Sequence, residues 1–223
     1  MNNTLHIIEG ASDEAIIQKV LAGDIASFEL LIRRYNTVLY KIARSYGFNH
    51  QDAEDLMQET HFAAYTHLAT FAFRASYKTW ISKIMIHKCL YKLNYGYTKN
   101  EQPAGSLTDE KDVPLHQAKQ TGGREATILR KEFANILENS LQHLPLAYRS
   151  VFMLREMEGF SVAETADLLN ITTVNVKVRL NRAKTMLQKS LEQYYTVTDL
   201  YEFNLVYCNA IVENVFKKIT ANQ

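Results

Sequence analysis

The chain has 223 residues, 47 % of them hydrophobic, and a formal net charge of +1; it is long enough to bury a core as one large or two small domains, and its total charge is silent about nucleic acid. Gly and Pro number only 8 and 3, and no run alternates at period two, which excludes a strand-rich fold and points to an all-α protein. Two distant cysteines, Cys89 and Cys208, exclude a cysteine metal framework, and the absence of a basic-then-apolar start or of a run near the roughly 20 apolar residues of a bilayer span predicts a cytoplasmic chain with no membrane insertion.

In chain order, the first element begins at Ser12, an N-cap followed by Asp13 and Glu14, and carries an apolar stripe of Ile16, Ile17, Val20 and Leu21. After Gly23-Asp24, a second helix is expected from about Ile25 to Tyr46, with Phe28, Leu31, Ile32, Tyr35, Leu39 and Ile42 on one side and Gly47 as its end. A third begins between Asn49 and Asp52. On it Ala53, Met57, Thr60 and Ala64 line one side and Asp55, Gln58 and Phe62 another, with Glu54 and Glu59 at the edges. Read alone, these acids form either a solvated face or a docking face for a basic partner helix. A metal site is disfavoured, because hard cations draw oxygen ligands from loops or several elements and here all would come from one helix.

A fourth helix starts near Ser76, inside the stretch Phe73–Asn100, which holds six Lys/Arg, no Asp or Glu, and Phe73, Tyr77, Trp80, Tyr91, Tyr95 and Tyr97. Cations interleaved with aromatics suit single-stranded nucleic acid, whose bases stack on rings while Lys and Arg follow the backbone. Trp80, Ile84 and Cys89 read equally as core residues, and for Trp80 that is the stronger reading. Between Asn94 and Gly123 lie two of the three prolines and four of the eight glycines. That composition reads as a flexible linker.

Beyond it, a helix is expected from about Glu125 to Gln142 and another from Pro145, as its first residue, to Met157, stopped by Gly159. Ser161 and Glu164 form a capping box for the next. A turn at Asn170 leads into a helix from Thr172 to Gln188, the proportions of a helix-turn-helix. At 100° per residue, Val176, Leu180, Ala183 and Leu187 face the core, Val174, Asn175, Val178, Asn181, Arg182 and Thr185 face outward, and Lys177 and Arg179 flank them. A solvated basic helix would look similar; the capped helix and short turn before it favour a helix lying in a DNA groove. After Tyr195, the positions Leu200, Phe203, Tyr207, Ala210, Ile211, Val215 and Ile219 predict one amphipathic helix.

The fold expected is therefore all-α: two small helical domains, residues 10–95 and 125–193, joined by a linker at 96–124 and followed by a helical extension at 194–223. No Ser/His/Asp or Cys/His arrangement and no phosphate-cradling Gly loop is visible, so neither catalytic residues nor a cofactor are expected. A nucleic-acid hydrolase using the acids from Asp52 to Glu59 is the enzyme-class rival, and an autonomous helix-turn-helix regulator is the binding-module rival.

Four stretches in order, "DEAIIQKVLAGDIASFELLIRRY", "DAEDLMQET", "FRASYKTWISKIMIHKCL" and "LPLAYRSVFMLREMEGFSVAETADLLNITTVNVKVRLNRAKTML", resemble the bacterial extracytoplasmic-function sigma factors, promoter-recognition subunits of RNA polymerase. The resemblance covers residues 12–193. It implies a first domain like sigma region 2 and a second like region 4. It implies that Asp52, Asp55, Gln58 and Glu59 dock on the coiled coil of the polymerase's largest subunit. It further implies that Arg74, Lys78, Trp80, Lys83, His87 and Lys88 bind and melt the −10 region, duplex and single-stranded. Thr172, Thr173, Asn175, Lys177, Val178, Arg179, Asn181 and Arg182 would read the −35 element. The helix around Leu144–Glu158 would help dock on the flap of the second-largest subunit, and Asp109, Glu110 and Asp112 would thread towards the active-site cleft. An anti-sigma factor or another protein recruiter is the regulatory partner such a chain would take. The sequence departs from the family at Val174, Asn175 and Val178, where Gly, Thr and Ser are common. The valines would touch thymine methyls, weaken ordinary −35 reading or face another protein.

Overall fold

Ser12 starts the fold by a local rule: its hydroxyl accepts the Ala15 N–H at 3.2 Å, with Asp13 and Glu14 in the first turn, so helix α1 (Asp13–Leu21) begins capped and with favourable charge. The computed structural model describes residues 10–98, 124–192 and Val212, and among these every regular element is helical. The linker acids Asp109, Glu110 and Asp112, Cys208, and all of the expected helix of Leu200–Ile219 except Val212 lie outside the described residues.

Helix α2 (Phe28–Ser45) is preceded by a 3₁₀ turn, Ile25–Ser27, rather than forming one helix from Ile25. The cause is local: the Ser27 hydroxyl donates to Asp24 Oδ2 at 2.6 Å, which tightens the entry. Asp13 receives both the Arg34 guanidinium and the Tyr35 hydroxyl, clamping α1 across α2. Gly47, at φ +92, reverses the chain after α2, a conformation that costs glycine little. Asn49 caps α3 (His50–Thr66), accepting the Asp52 N–H at 2.8 Å, and α4 (Tyr77–Thr98) closes the bundle. Its centre is Ile16, Ile17, Leu31, Leu39, Ile42, Ile81, Met85 and Ile86, all fully buried.

In the second half, α5 (Arg124–Gln142) leads to α6 (Leu146–Phe152), for which Pro145 is the N-cap and not the first helical residue. The chain then widens into a π turn, Met153–Met157, closed by an i→i−5 bond from the Glu158 N–H to the Met153 carbonyl at 3.0 Å. The sequence predicts plain α-helix to Met157 there, because every residue of the turn is compatible with one. Helix α7 (Val162–Leu169) has the full Ser161–Glu164 capping box and ends on Asn170 in the left-handed region at φ 51; α8 (Thr173–Leu191) follows. Val151, Ala166 and Val176 form the small core of this helix-turn-helix.

The described residues up to Leu187 form one compact unit. Leu154, Phe160 and Leu168 are buried in the same cluster as the α1–α4 core, each contributing about 1.5–3 kcal/mol of burial. Arg149 fastens the joint. Its Nε donates to the Ser45 carbonyl at the end of α2 at 2.5 Å, and its Nη1 donates to the Gln142 backbone carbonyl at 2.6 Å and to Gln142 Oε1 at 2.9 Å. A cation at a helix C-terminus is favourable, and its charge is offset by three acceptors. Arg44 to Glu138 at 3.0 Å and Lys41 to Glu158 at 2.8 Å complete the contact.

Candidate functional site

Three surfaces carry the residues singled out in the sequence. The first is on α3. Ala53, Leu56, Thr60 and Ala64 are buried there, which turns Glu54, Asp55, Gln58, Phe62 and Tyr65 outward as one exposed strip. Beside this strip lies an open groove of about 820 Å³, walled by Ile25, Phe28, Ile32, Met57, Phe62 and Tyr65. Phe62 is 73 % exposed and Ile25 62 %. Two large apolar side chains thus stand exposed with acids at the margin, which makes the strip a candidate interaction surface. Of the four docking residues the sequence suggests, Asp55 and Gln58 sit on this strip. Asp52 and Glu59 lie on the flank of α3 towards α4, where Lys92 holds Asp52 at 2.5 Å and Lys88 holds Glu59 at 3.0 Å. No sequence motif announces the apolar groove. Its signal was Phe62 itself, a large aromatic on the polar side of an otherwise regular helix.

His61 borders the groove from inside. Its Nε2 lies 2.9 Å from Asn36 Oδ1 and its Nδ1 is buried with no hydrogen-bond partner. Burial lowers its pKa to about 4, because a second ring proton would be desolvated and unpaired. The ring is therefore neutral at physiological pH.

The second surface is the loop before α4 together with α4. Phe71, Tyr77 and Trp80 pack as a cluster, Trp80 lying 5.0 Å from Phe71 and 5.6 Å from Tyr77. Tyr77 is buried and Trp80 half-buried, so these rings support the site rather than offering free faces. Phe73 differs: it is 42 % exposed and stands at φ 54, a left-handed backbone that bulky residues rarely adopt. Exposed Arg74 follows it. Its ring packs on Phe71, centroids 4.7 Å apart, and keeps part of its surface open beside an arginine with no ion pair among the described residues; in the sequence Phe73 reads only as one aromatic among several.

Along α4 the cations are engaged. Lys78 Nζ donates to the Glu158 carbonyl at 2.5 Å and lies 4.6 Å over the Phe160 ring. Lys83 Nζ reaches both oxygens of Asp167, at 3.0 and 2.9 Å. Between them, the Thr79 hydroxyl donates to Glu164 Oε1 at 2.8 Å. Glu164 also receives the Ser161 backbone N–H, the largest cause holding its carboxyl below the usual glutamate range. One capping box thus closes α7 and joins it to α4. His87 is exposed, and Lys88 turns to α3. Cys89, beneath, is buried and its thiol is pushed up to about 12 by desolvation, so it is an inert core residue.

The third surface is α8. The Thr172 hydroxyl accepts the Asn175 N–H at 3.2 Å, a capping contact. Val176, Ala183 and Leu187 are buried. Thr172, Thr173, Val174, Asn175, Lys177, Val178, Asn181 and Arg182 are exposed, and Arg179 is half-buried. Arg182 Nη1 lies 3.4 Å from the Tyr148 hydroxyl, and Lys184 pairs with Glu156 at 2.9 Å. Seven of the eight residues the sequence suggests for −35 reading are therefore exposed, and Val174, Val178, Asn181 and Thr185 stand opposite the buried Val176 and Ala183.

No helix among the described residues is long and apolar enough to cross a membrane. Residues 31–95 match the family described as Sigma-70 region 2 and residues 134–187 match Sigma-70, region 4. The ECF RNA polymerase sigma factor SigM of Mycobacterium tuberculosis is 28 % identical over 180 residues, covering 81 % of this chain and 85 % of that one. Among solved structures, CnrH in complex with the cytosolic domain of CnrY gives a TM-score of 0.58 at 22 % identity over 82 % of this chain and 99 % of that one. RpoE in complex with the anti-sigma factor NepR, from Bartonella quintana, gives 0.57 at 22 % identity over 74 % and 96 %. Both matched regions fall in the order the sequence motifs require, and the chain belongs to the sigma-70 family, among the extracytoplasmic-function (ECF) sigma factors of RNA polymerase.

Proposed function

We propose that this sigma factor binds core RNA polymerase through the α3 strip and its groove, brings it to promoters by laying α8 in the major groove at −35, and assists melting at −10 through the loop and helix from Phe73 to Lys88. The observation that carries the reading is the division of exposed chemistry. An acidic and apolar strip lies on α3, a cationic face without carboxylates lies on α8, and an exposed aromatic with its arginine stands at Phe73–Arg74.

Melting without ATP requires selective binding of the opened strand, to offset stacking of roughly 1.4 kcal/mol per step. An exposed ring such as Phe73 supplies about 1–3 kcal/mol for each stacked base. In the compact unit, Lys78 and Lys83 pair with Glu158 and Asp167. Their use on DNA exchanges these carboxylates for phosphates, so promoter engagement and separation of α4 from α7 are coupled.

An anti-sigma factor suits the same logic, since the solved neighbour RpoE is held by one. A second DNA-bound recruiter suits the unusual valines of α8. An autonomous helix-turn-helix regulator would need only α5–α8, leaving the α3 strip and Phe73 without a task.

Reconstitution with core polymerase tests the proposal. Asp55→Lys with Gln58→Lys should lower affinity for the core enzyme by more than about tenfold, equivalent to 1.4 kcal/mol, with the helical circular dichroism unchanged. Unaltered affinity would remove α3 as the docking face. Arg182→Ala should weaken upstream-promoter binding and reduce the salt slope by about 1.

A further inference from the structure

The outward strip of α8 holds Val174, Val178, Asn181 and Thr185, at spacings of four, three and four residues, which places them within one narrow sector of the helix. Val174 is 66 % exposed and Val178 43 %. Neither serves the core, which Val176, Ala183 and Leu187 already fill from the opposite side. β-Branched residues also lower helix propensity, so nothing local favours them in the first two turns. Around them stand Lys177, Arg179 and Arg182, and α8 contains no Asp or Glu.

A surface of this kind, apolar along its ridge and cationic on both flanks, needs an occupant with the opposite pattern. An apolar protein face would leave the cations desolvated and unpaired. The major groove of duplex DNA supplies phosphates on either side, and between them the thymine 5-methyl is the apolar group on the base edges. Val174 and Val178 are four residues apart, about 6 Å along the axis, or about two base-pair steps of 3.4 Å. Asn175 and Asn181 flank them, side chains able to pair with adenine N6 and N7.

We propose that Val174 and Val178 are specificity-determining residues that read thymine methyls about two base pairs apart, so that this chain selects an A·T-rich upstream element. The inference rests on the reading that α8 enters the major groove at −35, and deepens it.

The test uses holoenzyme assembled from the full chain and core RNA polymerase. Upstream duplexes randomised at the −35 position are selected for binding, and thymines in the selected element are then replaced singly by deoxyuridine, which removes the methyl and nothing else. Two thymines within about three steps should emerge, each losing about fourfold in affinity on replacement, the gain expected from burying one methyl. Val174→Ala and Val178→Ala should each abolish the sensitivity at one of the two positions, while affinity for core polymerase stays as in the wild type.

If the selected element lacks paired thymines, or deoxyuridine binds as well as thymidine, or both variants keep full methyl sensitivity, the assignment is wrong. A reduced salt slope in Arg182→Ala would then show that the groove reading survives it. If no upstream preference emerges and Arg182→Ala leaves the slope unchanged, the groove reading itself falls.

Discussion

On α4 the lysines are held: Lys78 by Glu158, Lys83 by Asp167, Lys88 by Glu59 and Lys92 by Asp52. On α8, Lys177 and Arg179 carry no ion pair among the described residues, and Lys184 pairs with Glu156. Both helices read as basic in sequence, yet only α8 presents uncompensated charge. An unpaired surface cation attracts phosphate over a Debye length of about 8–10 Å, whereas a paired one must first give up its carboxylate. The two helices proposed to face DNA are therefore unequal: Lys177 and Arg179 of α8 are open to a duplex, whereas Lys78 and Lys83 of α4 become available on giving up Glu158 and Asp167. That order suits initiation, in which duplex recognition precedes strand opening.

Arg149→Ala should have the largest effect on this arrangement. It leaves the Ser45 and Gln142 carbonyls short of a donor at the joint between the halves, a loss of about 3 kcal/mol. Because the cores are continuous, the described unit should unfold in one transition by urea; the variant should separate it into two. A single, unshifted transition would show that Arg149 does not hold the joint.

Acid strikes the first half next. The unfolded chain protonates His61 near 6.5 and the folded chain only near 4, so the unfolded state binds the extra proton between those values. Stability from this group is complete above about pH 6.5 and falls as the pH drops towards 4, by roughly 2–3 kcal/mol. His61→Gln should flatten that part of the curve relative to wild type; parallel curves would contradict the neutral buried ring.

Glu158→Gln with Asp167→Asn should cost about 1–2 kcal/mol, nearly all from the buried Glu158, and raise affinity for a single-stranded −10 oligonucleotide about threefold at low salt, since two competing carboxylates are gone. No gain in affinity would mean that α4 is not restrained by these acids. The smallest change is Asp167→Asn alone, within about 0.5 kcal/mol in stability, because that pair is largely exposed.

Much of the fold was legible because it is punctuated locally. Ser12, Asn49 and the Ser161–Glu164 box each satisfy a backbone N–H within three residues, and Gly47 and Asn170 take backbone conformations that their own side chains permit. The apolar stripes of α2 and α8 pointed inward where the helical period places them. Less legible was the site's true membership. Asp52 and Glu59 share a short acidic run with Asp55 and Gln58, yet a helix rotates 100° per residue, and the neighbouring lysines of α4 take the flank. Phe62 and Ile25, 37 residues apart by number, make one groove that no local pattern announces.

The sequence by itself determined which segments are helices, where most of them begin and end, and which face of each is apolar. Capping, glycine conformation and helical periodicity act over fewer than ten residues and need no partner. Only the tertiary structure decided that Leu154, Phe160 and Leu168 share a core with α1–α4, that Arg149 spans 104 residues to reach Ser45, and that Lys83 spans 84 to reach Asp167. Burial and ion pairing depend on distance in space, and a cation reads the same in a sequence whether its carboxylate stands beside it or not.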